Sequence, residues 1–306
     1  MERNRPLKVG VQLPEVEREV RWPEVRQMAV TAEQIGFDSL WVGDHLIYRR
    51  PLDVVGPWEA WTSLAALAEA TTKIEIGPLV ACTSFHNPGM IAKKAATIDE
   101  ISGGRLILGL GAGWNEPEYT AYGFPFDRRA SRFEEAFTII RSLLRDGHVD
   151  FDGEFYKARD LELHPRGPRP NGPPLMIGSA GERVLRFTAP HMDSWNAWHD
   201  WFGNTPDGLA GLTASVDEAV TAAGRDPSEV ERTVTVLVQL PGGTGRAAGG
   251  EIAKPTPPLT GTREELARGI AAYADVGIAH VQLVLDPITV GSIEELGHVL
   301  ELIDRA

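Results

Sequence analysis

Eight times along the chain an apolar run of strand length is followed by a segment with helical spacing. No other feature of the sequence restricts the fold as strongly. The strand-like runs are LKVGVQL (7–13), FDSLWVGDH (37–45), IEIGPLVAC (74–82), RLILGLG (105–111), PLMIGS (174–179), MDSWNAW (192–198), ERTVTVLVQL (231–240) and HVQLVLD (280–286). Helical patterns follow at 22–34, 58–71, 88–102, 128–145, 182–189, 209–223, 263–277 and 292–304. Strands separated by helical crossovers lie parallel. Eight such units in 306 residues predict an α/β fold, a single closed (β/α)8 barrel spanning 1–306. Two segments break the rhythm. Residues 148–174 hold a hairpin-like stretch around Asp152-Gly153 and then a Pro/Gly-rich linker, and residues 241–262 are Gly, Pro and Ala with almost no apolar anchor. Long unpatterned insertions of this kind are expected as lids, binding loops or disorder. The second follows the seventh strand, on the face where barrel active sites are built.

Composition narrows the function. Apolar residues make up 42% of the chain, and no apolar run reaches membrane-spanning length, so no membrane partner is expected. A net charge of −13, with no basic patch interleaved with aromatics, argues against nucleic acid. The first residues lack an apolar segment of signal-peptide length, and a cytoplasmic protein is expected. One cysteine, Cys82, excludes an internal disulfide and a cysteine-cluster metal site, and no metal is expected.

The fourth strand ends in alternating glycines, Gly109, Gly111 and Gly113, before Trp114. A dinucleotide fingerprint needs G-x-G-x-x-G and an immediate helix. Here the spacing is G-x-G-x-G, and the next helical pattern waits until about Arg128. Bare positions on one face of a strand admit a flat ligand, a closely approaching backbone or a tapered barrel interior. Asp44-His45 ends the second strand on the catalytic rim, where a histidine can trade a proton near neutral pH. Gly178-Ser179-Ala180-Gly181, with a helix starting at Glu182, offers free N–H groups to a phosphate. His86, before Asn87-Pro88, reads as a turn or cap residue, and Trp195, Trp198 and Trp201 read as rim packing or a stacking surface. A G-x-S-x-G elbow, an H-E-x-x-H pair, a P-loop and a strand-end lysine are all missing from the sequence.

Four stretches in order carry a family likeness. They are AEQIGFDSLWVGDHL, NPGMIAKKAATIDEISGGRLILGLGAGWNEPEYTAYGFPFDRRASRFEEA, DFDGEFYKARDLELHPRGPRPNGPPLMIGSAGERVLRF and DSWN. The chain resembles the luciferase-like flavin and deazaflavin oxidoreductases, especially the branch that uses coenzyme F420. That resemblance implies a (β/α)8 TIM barrel with the cofactor ring at the C-terminal ends of the strands. It implies that Asp44 and His45 border the ring. A non-prolyl cis peptide at Leu79-Val80 would form a bulge behind it, with Ala81 and Cys82 alongside. Gly111, Ala112, Gly113 and Asn115 would border the ring and ribityl chain, so that the bare strand end leaves room for three fused rings. Gly178, Ser179, Ala180, Gly181 and Glu182 would hold the cofactor phosphate, and Arg49, Arg50, Arg128 and Arg129 are candidates for the anionic tail. The implied activity is F420-dependent hydride transfer to or from a small organic substrate, in a homodimer. His45 and, second, Glu116 are the candidate proton-handling residues. The alternative on the same barrel is an FMN-dependent monooxygenase fed by a partner reductase. A phosphate-binding lyase or isomerase and a non-catalytic flavin-binding protein are the readings from other classes.

Overall fold

The computed structural model describes residues 5–50, 53–246 and 256–305. All eight expected strands form, the eighth over its whole apolar run and the others slightly shorter than theirs. They are β1 (Lys8–Gln12), β2 (Ser39–Val42), β3 in two pieces (Glu75–Pro78 and Ala81–Cys82), β4 (Leu108–Gly111), β5 (Leu175–Gly178), β6 (Ser194–Ala197), β7 (Glu231–Gln239) and β8 (His280–Asp286). Every pairing among them is parallel. The first piece of β3 pairs with β2, the second with β4, and the other strands run β2-β1-β8-β7-β6-β5-β4 between them. A parallel bridge between Ile76 and Leu106 joins the two edges of the sheet, so the barrel is nearly closed. Between the two pieces of β3 the Leu79–Val80 peptide is cis, the position the family resemblance implies.

Side-chain alternation divides the strands between two environments. Val9, Val11, Leu40, Ile76, Leu108, Leu110, Ile177, Val236 and Leu283 face the surrounding helices in one large apolar core. Each such buried side chain contributes about 1.5–3 kcal/mol. The residues between them fill the barrel, where Trp41, Leu79 and Met176 form a separate small cluster with Val80 and Ile107. The remaining interior is polar and largely paired, with Gln12 Oε1 and Gln282 Nε2 left without a partner among the described residues. His280 Nε2 lies 2.7 Å from Ser39 Oγ, and the Asn196 amide donates to Gln282 Oε1 (2.8 Å) and Thr233 Oγ1 (2.9 Å).

The interior glycines make room for this filling. A Cβ at Gly77 would sit 2.7 Å from the Trp41 ring. One at Gly109 would meet Val80 Cγ1 at 2.9 Å, at Gly111 Val80 Cγ2 at 2.7 Å, and at Gly178 Val80 Cγ2 at 2.9 Å. The space beside the bare strand ends is thus occupied by the Val80 side chain, thrown inward by the break in β3.

The 148–174 insertion connects a helix (Arg129–Asp146) to the start of β5, and its hairpin turn folds back against the first turns of that helix, where Glu154 pairs with Arg128 and the Glu135 carboxylate accepts from Glu154 N, Phe155 N and Tyr156 N. Its hairpin pairs His148–Asp152 with Lys157–Glu162. Its Pro/Gly linker is fastened by Arg169, which donates to the buried Asp99 (Nε to Oδ2, 2.9 Å) and to Leu106 O, and by Arg166, which donates to Leu144 O and Arg145 O. Of the second insertion, 247–255 lie outside the described residues. Among those described, no helix is long and apolar enough to cross a membrane.

Candidate active site

The loops after the first four strands converge at the C-terminal mouth of the barrel. Asp44 and His45 follow β2 directly. Asp44 is buried, and its Oδ2 accepts from Cys82 N (2.9 Å) while lying 3.0 Å from His86 Nε2. His86, expected as a turn or cap residue, does cap the Thr83–Phe85 turn through its N–H to Thr83 O, and its Nε2 lies beside both the Asp44 carboxylate and the Trp61 Nε1–H (3.1 Å); the adjacent Asn87 caps the Pro88–Ser102 helix by accepting from Met90 N. Asp44 Oδ1 is buried with no hydrogen-bond partner among the described residues. An unmet acceptor of this kind carries a desolvation cost of about 1–3 kcal/mol unless a donor arrives.

His45 lies between two buried carboxylates. Its Nδ1–H donates to Glu118 Oε1 at 2.7 Å, and its Nε2 lies 3.9 Å from Glu15 Oε1. Burial opposes a charge on the ring, but the hydrogen bond to Glu118 and the charges of Glu15, Glu118 and Asp44 outweigh it, so the His45 pKa is raised. The ring stays 18% exposed and packs against Tyr48 and the exposed Trp114 (centroids 4.8 and 5.6 Å).

Glu116, the second candidate for handling a proton, is exposed to solvent. It starts a short helix, Glu116–Tyr122, that carries Glu118 inward two residues later. Glu118 accepts from His45, from Leu46 N (2.5 Å) and from the Asn115 amide. That amide also donates to Ile47 O (3.1 Å), so the buried Asn115 ties this helix to the loop after β2. Glu15 was not singled out from the sequence either. It follows β1, accepts hydrogen bonds from Gln12 and Tyr48, and lies against Gly43, where a Cβ would come within 2.5 Å of Glu15 Oε2. Burial favours a neutral Glu15, but His45, Arg246 and the two hydrogen bonds prevail and its pKa is lowered.

Leu79 and Ala81 are buried and Val80 is half-buried. Cys82 is buried, its sulfur 3.0 Å from Tyr119 Oη, and burial pushes the thiol up to about 12, so it is no nucleophile. Gly113 (φ +80°) leaves space for this pair, since a Cβ there would collide with Tyr119 Oη and Cys82 Sγ. Ala112, half-buried, accepts from Tyr119 Oη through its carbonyl (3.1 Å), and Gly111 O accepts from Thr83 Oγ1 (3.3 Å).

After β5, Gly178 and Ser179 are half-buried, while Ala180, Gly181 and Glu182 are exposed. Ser179 Oγ accepts from Gly181 N (3.1 Å), and Gly181 is the N-cap of a short helix beginning at Glu182. Trp195 donates to Ser179 O (2.7 Å) and packs in the outer core, so it offers no stacking face, and Trp201 is exposed. Of the four arginines expected near an anionic tail, Arg50 pairs with Asp53 and Arg128 with Glu154, Arg129 lies over the Phe126 ring, and Arg49 is exposed. Among the described residues, one group of histidine and acidic side chains has metal-like closeness, His148, Asp150 and Asp160, on the exposed hairpin.

The residues at the mouth suit a planar heterocycle. The bulge at Leu79–Val80 offers an apolar surface, Asp44 Oδ1 an unmet acceptor for a ring N–H, and His45 a proton at the rim.

Comparison with known proteins shows the family. The family model described as "Luciferase-like monooxygenase" matches residues 8–241. An F420-dependent glucose-6-phosphate dehydrogenase of Amycolatopsis mediterranei (strain U-32) is 32% identical over 219 residues, covering 69% of this chain and 63% of the relative. The chain thus spans just under two thirds of that relative's length. Among solved structures, an F420-dependent secondary alcohol dehydrogenase in complex with an F420-acetone adduct superposes with a TM-score of 0.81 at 21% identity, covering 97% of this chain and 99% of that one. A riboflavin lyase (RcaE) with modified FMN superposes at 0.80 and 16% identity, covering 98% and 91%. These two structures bear on the fold.

Proposed function

This chain belongs to the luciferase-like monooxygenase family, and from that premise we propose that it is an F420-dependent oxidoreductase moving a hydride between C5 of the deazaflavin and a small organic alcohol or carbonyl. The observation that carries the reading is the setting of His45, an imidazole at the rim with Glu118 on one nitrogen and Glu15 near the other. Interconverting an alcohol and a carbonyl moves a proton along with each hydride, and it requires a group able to hold that proton near neutral pH. The similarity to an F420-dependent dehydrogenase over 69% of the chain supports the deazaflavin over FMN.

When bound, the deazaflavin supplies or accepts the hydride; the protein supplies position and protons. Val80 and Leu79 would support the ring, Asp44 Oδ1 would accept from it, and Ala81, Cys82, Gly111, Ala112, Gly113 and Asn115 would border it. Gly178 to Glu182 would meet the phosphate with backbone N–H groups. Glu118 fixes Nδ1 of His45 as a donor, so Nε2 is the nitrogen that exchanges a proton with the substrate oxygen. In carbonyl reduction Nε2 gives its proton to the oxygen, and in alcohol oxidation it takes the hydroxyl proton. The raised pKa of His45 favours the protonated ring, the form that donates in the reducing direction.

Titration of the purified protein with F420 and with FMN, followed by turnover of reduced F420 with small ketones, tests the reading. F420 binding, with turnover lost in His45→Asn while binding remains, is expected. Binding of FMN without F420, or full turnover in His45→Asn, overturns it.

A further inference from the structure

The insertion after β7 leaves the barrel rim along a fixed path. The Asp286 carboxylate, at the end of β8, accepts from Thr244 N (Oδ1, 3.3 Å), Gly245 N (Oδ2, 2.6 Å) and Gln239 Nε2 (Oδ2, 3.0 Å). The next residue, Arg246, turns its side chain into the mouth. The guanidinium is 6% exposed. Its Nε donates to Glu17 Oε1 at 2.8 Å, its Nη2 to Glu15 Oε2 at 3.4 Å, and it lies over the Trp198 ring, 5.2 Å from the centroid.

Glu15 thereby serves two partners with its two oxygens. Oε2 meets Arg246 and the Gln12 amide, while Oε1 meets Tyr48 Oη and faces His45 Nε2. A carboxylate buried this deeply keeps its charge only while cations and donors surround it. The groups facing Glu15 are Gln12, Tyr48, His45 and Arg246; those facing His45 are Glu15, Glu118, Asp44, Tyr48 and Trp114; those facing Arg246 are Glu15, Glu17 and Trp198, with His199 and Asp200 nearby.

We propose that Arg246 is a positioning residue: seated in the mouth by its loop, it holds Glu15 as a carboxylate, and through Glu15 it sets the proton occupancy of His45. The strand-end segment that carries Arg246 is in this way coupled to the acid–base group. With Arg246 gone, Glu15 takes up a proton and His45 loses one of its three anionic neighbours, keeping Glu118 and Asp44. The inference deepens the function proposed above and rests on it only for the use made of the His45 proton.

The test is an NMR titration of the His45 ring in the cofactor-free full chain. Glu15→Gln should lower the His45 midpoint by about one pH unit or more, the size expected when an opposite charge within about 4–6 Å is lost. Arg246→Met should lower it in the same direction, Arg246→Lys should restore it, and Arg246→Met on the Glu15→Gln background should add nothing. An unchanged or raised midpoint in Arg246→Met, or an additive double variant, overturns the proposal. Should Arg246→Met fail to fold, Glu17→Gln loosens the guanidinium from its other side; a downward shift supports the proposal and an unmoved midpoint overturns it. The titration needs neither cofactor nor substrate. Failure to bind F420 would thus sink the function and leave this coupling standing, while an unmoved titration beside intact hydride transfer would do the reverse.

Discussion

Glu118→Gln probes the site where the structure departs most from the sequence reading. The carboxylate is fully buried and accepts from three donors, His45 Nδ1 and the Asn115 amide on Oε1 and Leu46 N on Oε2. A glutamine amide has one accepting oxygen and a nitrogen that only donates. With the oxygen toward Leu46, the amide nitrogen faces two donors; turned round, it faces the Leu46 N–H. One buried donor is left against another donor in either case, at about 1–3 kcal/mol. Breaking a buried charge pair costs about 3–5 kcal/mol, but His45 can release its proton and escape part of that. We therefore expect a loss of about 2–4 kcal/mol near pH 6. The sign of the pH dependence follows from the raised pKa of His45. Its pairing stabilises the fold fully below the ordinary histidine pKa of 6.5 and fades as pH rises through the higher folded value. The gap between wild type and Glu118→Gln should accordingly narrow toward pH 9. Urea denaturation at the two pH values measures it, with the exposed Glu116→Gln as control, expected within about 0.5 kcal/mol of wild type. A Glu118→Gln protein as stable as wild type, or a larger loss in Glu116→Gln, would refute the argument.

Two further outcomes follow from the barrel interior. Gly109→Ala would place its Cβ 2.3 Å from Pro78 O, a backbone atom, and 2.9 Å from Val80 Cγ1, so thermal unfolding should report a loss of at least ~1–3 kcal/mol. Gly181→Ala, whose nearest neighbour is Ser179 Oγ at 3.6 Å, should change stability little. His280 is buried, and burial first, with Lys8 second, lowers its pKa to about 3. The unfolded chain then binds the extra proton, so stability falls as pH drops from 6.5 toward 3, by about 1.4 kcal/mol per pH unit for one proton. In His280→Asn that slope should be shallower by close to one proton over this window, and an unchanged slope in acid denaturation would count against a neutral buried imidazole.

The fold was legible because parallel strands buried on both faces leave near-continuous apolar runs, and the helices between them carry clear periodicity. Asp44 and His45 were legible as polar residues at a strand's C-terminal end, and the break at Leu79–Val80 through the family resemblance. What the glycines accommodate was not: Val80 meets Gly109, Gly111 and Gly178 only because the strand is interrupted at Leu79–Val80, which local pattern does not encode. The Glu116–Tyr122 helix was missed because seven residues carry too little periodicity, although Pro117 and Gly123 bracket it with start and stop signals. Missing that helix put Glu116 in the place of Glu118. Glu15 follows β1 as Asp44 follows β2, and the same strand-end argument would have found it. Arg246 sits in a segment without periodicity, and its role depends on Glu15, Glu17 and Trp198, which lie far from it in sequence.

A crystal structure with F420 bound tests the central claim most directly. The account predicts the deazaflavin ring lying on Leu79 and Val80, a ring donor within hydrogen-bond distance of Asp44 Oδ1, and His45 Nε2 facing the space above C5. A ring bound elsewhere on the chain, or one at the mouth with Asp44 Oδ1 still unpaired and His45 turned away, would contradict it.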